Sequence, residues 1–187
     1  MTIHDFAERL SFSEGFHDNP DMIEKLLAMC PNSTKIEKSG LKDDRSGTDY
    51  WIHRTHDLPP LSIDVKRRSF CPIEKYRTDD ACVETTSVYL GEKSFWWKDS
   101  LRKKIGWTLD YRKRTDFICY TWPAVDGVRF WILPFVPLCK AARTNWRAWA
   151  SEYGERSAPN KGYLTLSVYP ERRVLSEAIK VLMSGVA

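Results

Sequence analysis

Apolar residues recur along the chain with two periods, and the switches between them mark out the elements. After Asn19-Pro20, a helix-opening pair, Met22, Ile23, Leu26, Leu27 and Cys30 fall at helical spacing until Pro31 closes the stripe. The period then drops to two. Thr34–Lys38 reads as a short strand, followed by Thr48–Arg54, Leu61–Arg67 and Ala81–Leu90, which are aromatic, β-branched or cleanly alternating. Helical spacing returns over Phe95–Ile105, where Trp97, Leu101 and Ile105 line up between a Ser94 cap and Gly106. Thr115–Trp122 is a further strand that stops at Pro123. Beyond it the pattern predicts a strand over Val128–Leu133, a helix over Pro137–Tyr153, a strand over Tyr163–Tyr169 and a helix over Glu171–Met183. Residues 1–18 read as a short helix and a loop, and Leu41–Gly47, Phe70–Asp80 and Tyr153–Gly162 as loops. No stretch reads as a linker. The expectation is a single α/β domain over 1–187, with an αβββαβ core at about 19–123 and a C-terminal β/α extension over 124–187.

Composition narrows the class without naming a function. With 42% hydrophobic residues the chain can offset its ordering entropy, so it is not a disordered polymer. The greasiest run, Val128–Leu138, is shorter than the ~18 apolar residues of a membrane span and is broken by Pro134 and Pro137. The 5 cysteines are scattered without a paired spacing, which reads as free thiols in a reducing compartment. Met1–Leu10 lacks an apolar secretion segment, and a cytoplasmic protein is expected. A net charge of +4 is only mildly basic, and 8 Trp, 8 Tyr and 8 Phe can fill a core or stack on bases. Trp51, Trp97, Phe117 and Trp131 fall on expected core positions.

The sharpest chemistry is Asp49 on one strand with Asp64 and Lys66 on the next. Residues two apart on a strand share a face, so Asp64 and Lys66 point one way while Ile63 and Val65 point into the core. Two carboxylates converging from neighbouring strands form a hard oxygen site suited to Mg²⁺ or Mn²⁺. An ammonium beside them can orient a water and stabilise charge growing on a phosphorus centre. An acid-x-Lys triplet alone is common in a charged chain; its position inside a strand is what informs. The competing reading is a surface ion pair on a half-exposed sheet.

GTDY (Gly47–Tyr50) followed by IDVK (Ile63–Lys66), within an αβββαβ order, resembles the PD-(D/E)xK, or restriction-endonuclease-like, nuclease superfamily over Asn19–Pro123. The resemblance implies a central mixed sheet flanked by helices. It assigns metal binding to Asp49, Asp64 and the backbone carbonyl of Val65, and the catalytic lysine to Lys66. Thr48 stands where the family's name has Pro, and Asp64 stands in the Asp/Glu position. Many members add a carboxylate from the preceding helix, for which Glu24 is the candidate, although it lies about 130° from the apolar stripe and reads as solvated. Glu84, on the Ala81–Leu90 strand, is a second accessory candidate.

Basic residues cluster around this framework. Arg67 and Arg68 follow Lys66; Lys98, Arg102 and Lys103 lie on the Phe95–Ile105 segment; Arg112 and Lys113 precede the next strand; Arg143 and Arg147 share a helix with Trp146 and Trp149. Such groups can neutralise phosphates while adjacent rings stack, and the plain alternative is solvated helix faces. His53 and His56 lie on opposite sides of a strand end and read as ordinary polar positions, with His53 sharing the Asp49 face. The expected function is a Mg²⁺-dependent endonuclease acting on nucleic acid, DNA favoured over RNA, with a homodimer compatible with double-strand cutting and no membrane partner. The rival class is a nucleic-acid- or protein-binding module that keeps the fold without chemistry, such as an inhibitor encoded by a mobile element.

Overall fold

The computed structural model describes residues 20–40, 43, 47–55, 57–89, 102–125, 127–160 and 163–185. These residues form two compact units, neither contiguous in sequence. One contains the described residues up to Tyr76 together with Arg112–Val136; the other contains those of Arg77–Tyr111 and everything from Pro137 onward.

The first unit opens with helix α1, Pro20–Met29. Pro20 occupies its first position, where a missing N–H costs nothing. Met22 and Leu26 are buried one turn apart, and Asn32 takes a left-handed turn (φ 63°) into strand β1, Ser33–Lys38. Strands β2 (Tyr50–Arg54) and β3 (Leu61–Arg67) continue as an antiparallel meander, with Tyr50 opposite Ile63. A short helix α2, Pro72–Tyr76, lies inside the segment expected to be loop. The chain returns much later as β6, Phe117–Ala124, which pairs parallel to β3 in the register Asp64 to Ile118 and Lys66 to Tyr120. A tight antiparallel hairpin adds β7, Gly127–Pro134. The result is a five-stranded mixed sheet in the order β1-β2-β3-β6-β7. On one face Ile63, Val65 and Cys119 close over Met22, Leu26 and Cys30 of α1, as the alternation of Leu61–Arg67 predicts.

The second unit is a separate four-stranded sheet in the order β5-β4-β9-β8, antiparallel throughout. Its strands are β4 (Val83–Tyr89), β5 (Arg102–Ile105), β8 (Glu155–Asn160) and β9 (Tyr163–Val168). A 3₁₀ turn, Trp107–Leu109, follows β5; helices α3 (Phe135–Tyr153) and α4 (Arg172–Met183) complete the elements, α3 starting in the first unit. No helix among the described residues is long and apolar enough to cross a membrane.

Four expectations change. The Ala81–Leu90 strand forms, but in the second sheet, so the third strand of the core meander is Leu61–Arg67 and its first is Ser33–Lys38. Arg102–Ile105, expected as the end of a helix, is a strand paired with β4; the start of that helix lies outside the described residues, as does the helix expected over residues 1–18. Glu155–Asn160, expected as loop, is a strand paired along its length with β9. In β2 the buried residues are Tyr50 and Ile52, while Trp51, Phe117 and Trp131 are half-buried and Trp97 lies outside the described residues. Alternation fixes that two residues share a face, but packing decides which face goes inward.

Candidate active site

The site is assembled where β2 begins, at the middle of β3 and in the loop before β6. Asp64 projects from the face of β3 opposite α1, on the same side as Lys66, and is 1% exposed. A carboxylate so far from water requires cations, and it has two. Lys66 Nζ donates to Oδ1 at 2.5 Å and Lys113 Nζ donates to Oδ2 at 2.9 Å. Burial alone would push the Asp64 carboxyl up; the two ammonium groups together outweigh it and hold the group below the usual carboxylate range.

Asp49 is tied to the backbone on both sides of Asp64. Its N–H donates to the Ile63 carbonyl at 2.8 Å, and its carboxylate Oδ2 accepts the Val65 N–H at 2.6 Å. Asp49, expected on the strand, stands one residue before β2, and these two bonds set it beside the backbone of Asp64. Thr48 is buried, donates its hydroxyl to the Arg114 carbonyl at 2.6 Å, and donates its N–H to the Asp43 carbonyl at 3.0 Å. Proline at that position would have neither donor. Gly47 has φ 95°, and a β-carbon there would lie 2.8 Å from Lys113 Nζ. The glycine thus leaves the space through which Lys113 reaches Asp64.

The other candidates separate. Glu24 is on the exposed side of α1, in agreement with its place on the helical wheel. Glu84 belongs to β4 of the second sheet and is not on a strand next to β3; its carboxylate accepts from the Ser87 hydroxyl at 2.9 Å. Arg67 alternates to the α1 face of β3, opposite to Lys66, and partial burial lowers its pKa. Arg68 continues beyond β3, its N–H held by the Thr121 carbonyl, and Arg112 is exposed in the loop before β6. Lys98 and His56 lie outside the described residues, while Arg102 and Lys103 fall on β5 rather than on a helix. Arg143 and Arg147 are on α3 in the second unit. His53 sits with Nε2 3.3 Å from Glu37 Oε2 across the β1–β2 pair, a surface contact.

Lys113 is the residue whose role the sequence did not show. It reads there as one cation among many in an Arg-Lys-Arg run, and only the parallel return of β6 beside β3 sets it against Asp64.

Asp49 and Asp64 form a hard oxygen pair of the kind Mg²⁺ accepts while keeping several of its waters. Among the described residues no group of three or more His, Cys, Asp and Glu side chains gathers, so the donor set rests on these two acids and the neighbouring backbone oxygen. Its oxygens are of the type a hard divalent cation takes, but both Asp64 oxygens and Asp49 Oδ2 already accept hydrogen bonds, so binding an ion there requires a lysine to move off Asp64. No protein-family model matches the sequence, and no curated protein and no solved structure shows significant similarity to it.

Proposed function

We propose that the chain is a metal-dependent nuclease of the PD-(D/E)xK type that hydrolyses phosphodiester bonds, with DNA as the favoured substrate. The observation that carries the reading is the buried Asp64 carboxylate, flanked by Asp49 and held on one strand face with Lys66. Keeping a charge this far from water is costly, and such clusters concentrate at functional sites. Within the first unit, with the β4–β5 segment of the second unit set aside, the order helix, three antiparallel strands, short helix, then a strand parallel to the third supports the restriction-endonuclease-like core that the motif implies.

Asp49, Asp64 and the Val65 carbonyl would hold Mg²⁺ or Mn²⁺, which when bound polarises the scissile phosphate and acidifies a coordinated water. Lys66, on swinging away from Asp64 Oδ1, would donate to the attacking water, orient it and stabilise the charge that builds on phosphorus. Lys113 stays on the other Asp64 oxygen and keeps the carboxylate ionised. Asp49, gripped by the Val65 N–H, holds its geometry through the reaction.

The test is incubation of plasmid, linear duplex, single-stranded DNA and RNA with Mg²⁺, Mn²⁺ or EDTA. Lys66→Ala and Asp49→Ala should each reduce cleavage by at least ~100-fold while unfolding as cooperatively as the parent protein. Cutting at parental rates by both variants overturns the assignment. A second reading is favoured by one observation: both Asp64 oxygens are satisfied by lysines, and with Asp49 the four charges cancel without an ion. A pure binding module of this kind should show no rise in Tm with Mg²⁺, and its DNA affinity should survive EDTA.

A further inference from the structure

We infer that the second unit carries a binding pocket for single-stranded nucleic acid, built from Thr86, Lys104, Ile105, Arg143, Trp146 and Arg147. These residues, with Thr85 and Leu109, line a cavity of about 390 Å³, and among the described residues no carboxylate lines it. Arg143, Trp146 and Arg147 lie three and four apart on α3 and so share one helix face. The opposite wall comes from β4 and β5, where Thr86 pairs with Ile105.

The parts are fixed before any ligand arrives. Arg143 Nη1 donates to the Leu109 carbonyl at 3.0 Å, and its guanidinium lies 5.2 Å from the Tyr111 ring centroid. Arg147 lies over the Trp146 ring, 4.7 Å from its centroid, a cation–π contact beside the cavity. Thr85, also in the lining, donates its hydroxyl toward Glu155 Oε1 at 3.0 Å and the Leu166 carbonyl at 3.2 Å, so it is held in place from behind. Two arginines and a lysine facing one cavity favour an anion, and the ring planes beside them favour a flat partner. A nucleotide with its base unstacked from a duplex supplies both, whereas an acidic peptide supplies only the charge.

The inference deepens the nuclease reading by naming the strand form its substrate presents, and its test is independent of cleavage. Fluorescence anisotropy of a labelled oligo-dT in EDTA measures affinity across a salt series. Trp146→Ala should weaken binding roughly five- to hundredfold and Trp146→Phe far less, since a stacked base is worth about that factor. Arg147→Ala should reduce the salt slope by about 0.7, the value for one phosphate contact on a single strand. A blunt duplex of equal length should bind more weakly.

Absence of oligo-dT binding overturns the proposal, as does unchanged affinity in both Trp146→Ala and Arg147→Glu. So does equal binding of polyglutamate, which marks the pocket as a general polyanion site. If Trp146→Ala lowers Tm, Trp146→Phe and Arg147→Glu decide alone. Loss of cleavage in Mg²⁺ with binding intact counts against the nuclease reading only.

Discussion

Gly47, Thr48 and Asp49 each contribute something different to the same few cubic ångströms. The glycine supplies a positive φ and an empty space, the threonine pins the Lys113–Arg114 loop, and the aspartate grips β3 beside Asp64. Gly47→Ala should therefore destabilise the protein by about 1–2 kcal/mol, the cost of a β-carbon in left-handed backbone. The new methyl also displaces the Lys113 ammonium, so cleavage should fall by more than stability alone explains. Urea titration paired with a plasmid assay reads both, and a variant with parental stability and activity would refute the role given to this glycine. Asp49, Asp64 and Lys66 were legible in the sequence because two-residue alternation and one strand pairing suffice to group them. Lys113 was not, because its partner lies beyond a long crossover and its neighbours Arg112 and Arg114 give the same composition without the contact.

Strand membership was less legible than strand existence. The Val83–Tyr89 run has the β-branched composition of a strand, and it is one, but propensity reports only local fit to a pleated surface. Which sheet receives it depends on partners far away: β4 pairs with β5 and with β9, near the C-terminus. Gly106 makes the first of these pairings possible. Its N–H donates to the Thr85 carbonyl at 2.9 Å, and a β-carbon there would stand 2.3 Å from the Glu84 carbonyl oxygen. Thr85 itself is the extra residue where the β4–β9 register shifts, so the backbone bulges toward Gly106. The sequence marked Gly106 as a helix stop; close backbone approach is the actual reason for it. Gly106→Ala must push the backbone apart and should cost about 3 kcal/mol or more in urea denaturation. Because the following 3₁₀ turn carries Leu109, whose carbonyl holds Arg143, the same variant should also weaken oligo-dT binding. Parental stability in this variant would mean that the strand end relaxes without cost.

At the scale of the whole molecule, charge and thiols are arranged so that little shows in the composition. Asp49 and Asp64 offset Lys66 and Lys113, so a net charge of +4 reveals nothing of the site. Of the scattered cysteines all but the half-buried Cys82 are buried, among them Cys30 and Cys119 within the α1 core and Cys139 on α3. Burial raises all three thiols above their ordinary value, and Cys119, with Cys30 adding to the effect, is pushed up to about 12. In the unfolded chain the same thiols lose their protons near their ordinary value of 9.0. The folded state therefore binds more protons between those two values. Its advantage is complete below the unfolded pKa and is lost as pH rises through the folded one. Stability should fall above pH 9 by about 1.4 kcal/mol per pH unit for each fully protected thiol. Tyrosine titration also contributes in this range, so the informative quantity is a difference between proteins. Cys119→Ala carries a constant packing cost at every pH but lacks this thiol's share of the slope. Urea denaturation under reducing conditions at pH 8, 9.5 and 10.5 should show the two stability curves converging as pH rises. Parallel curves would mean that Cys119 is as exposed to base in the folded protein as in the unfolded chain, and that the apolar core under α1 admits water.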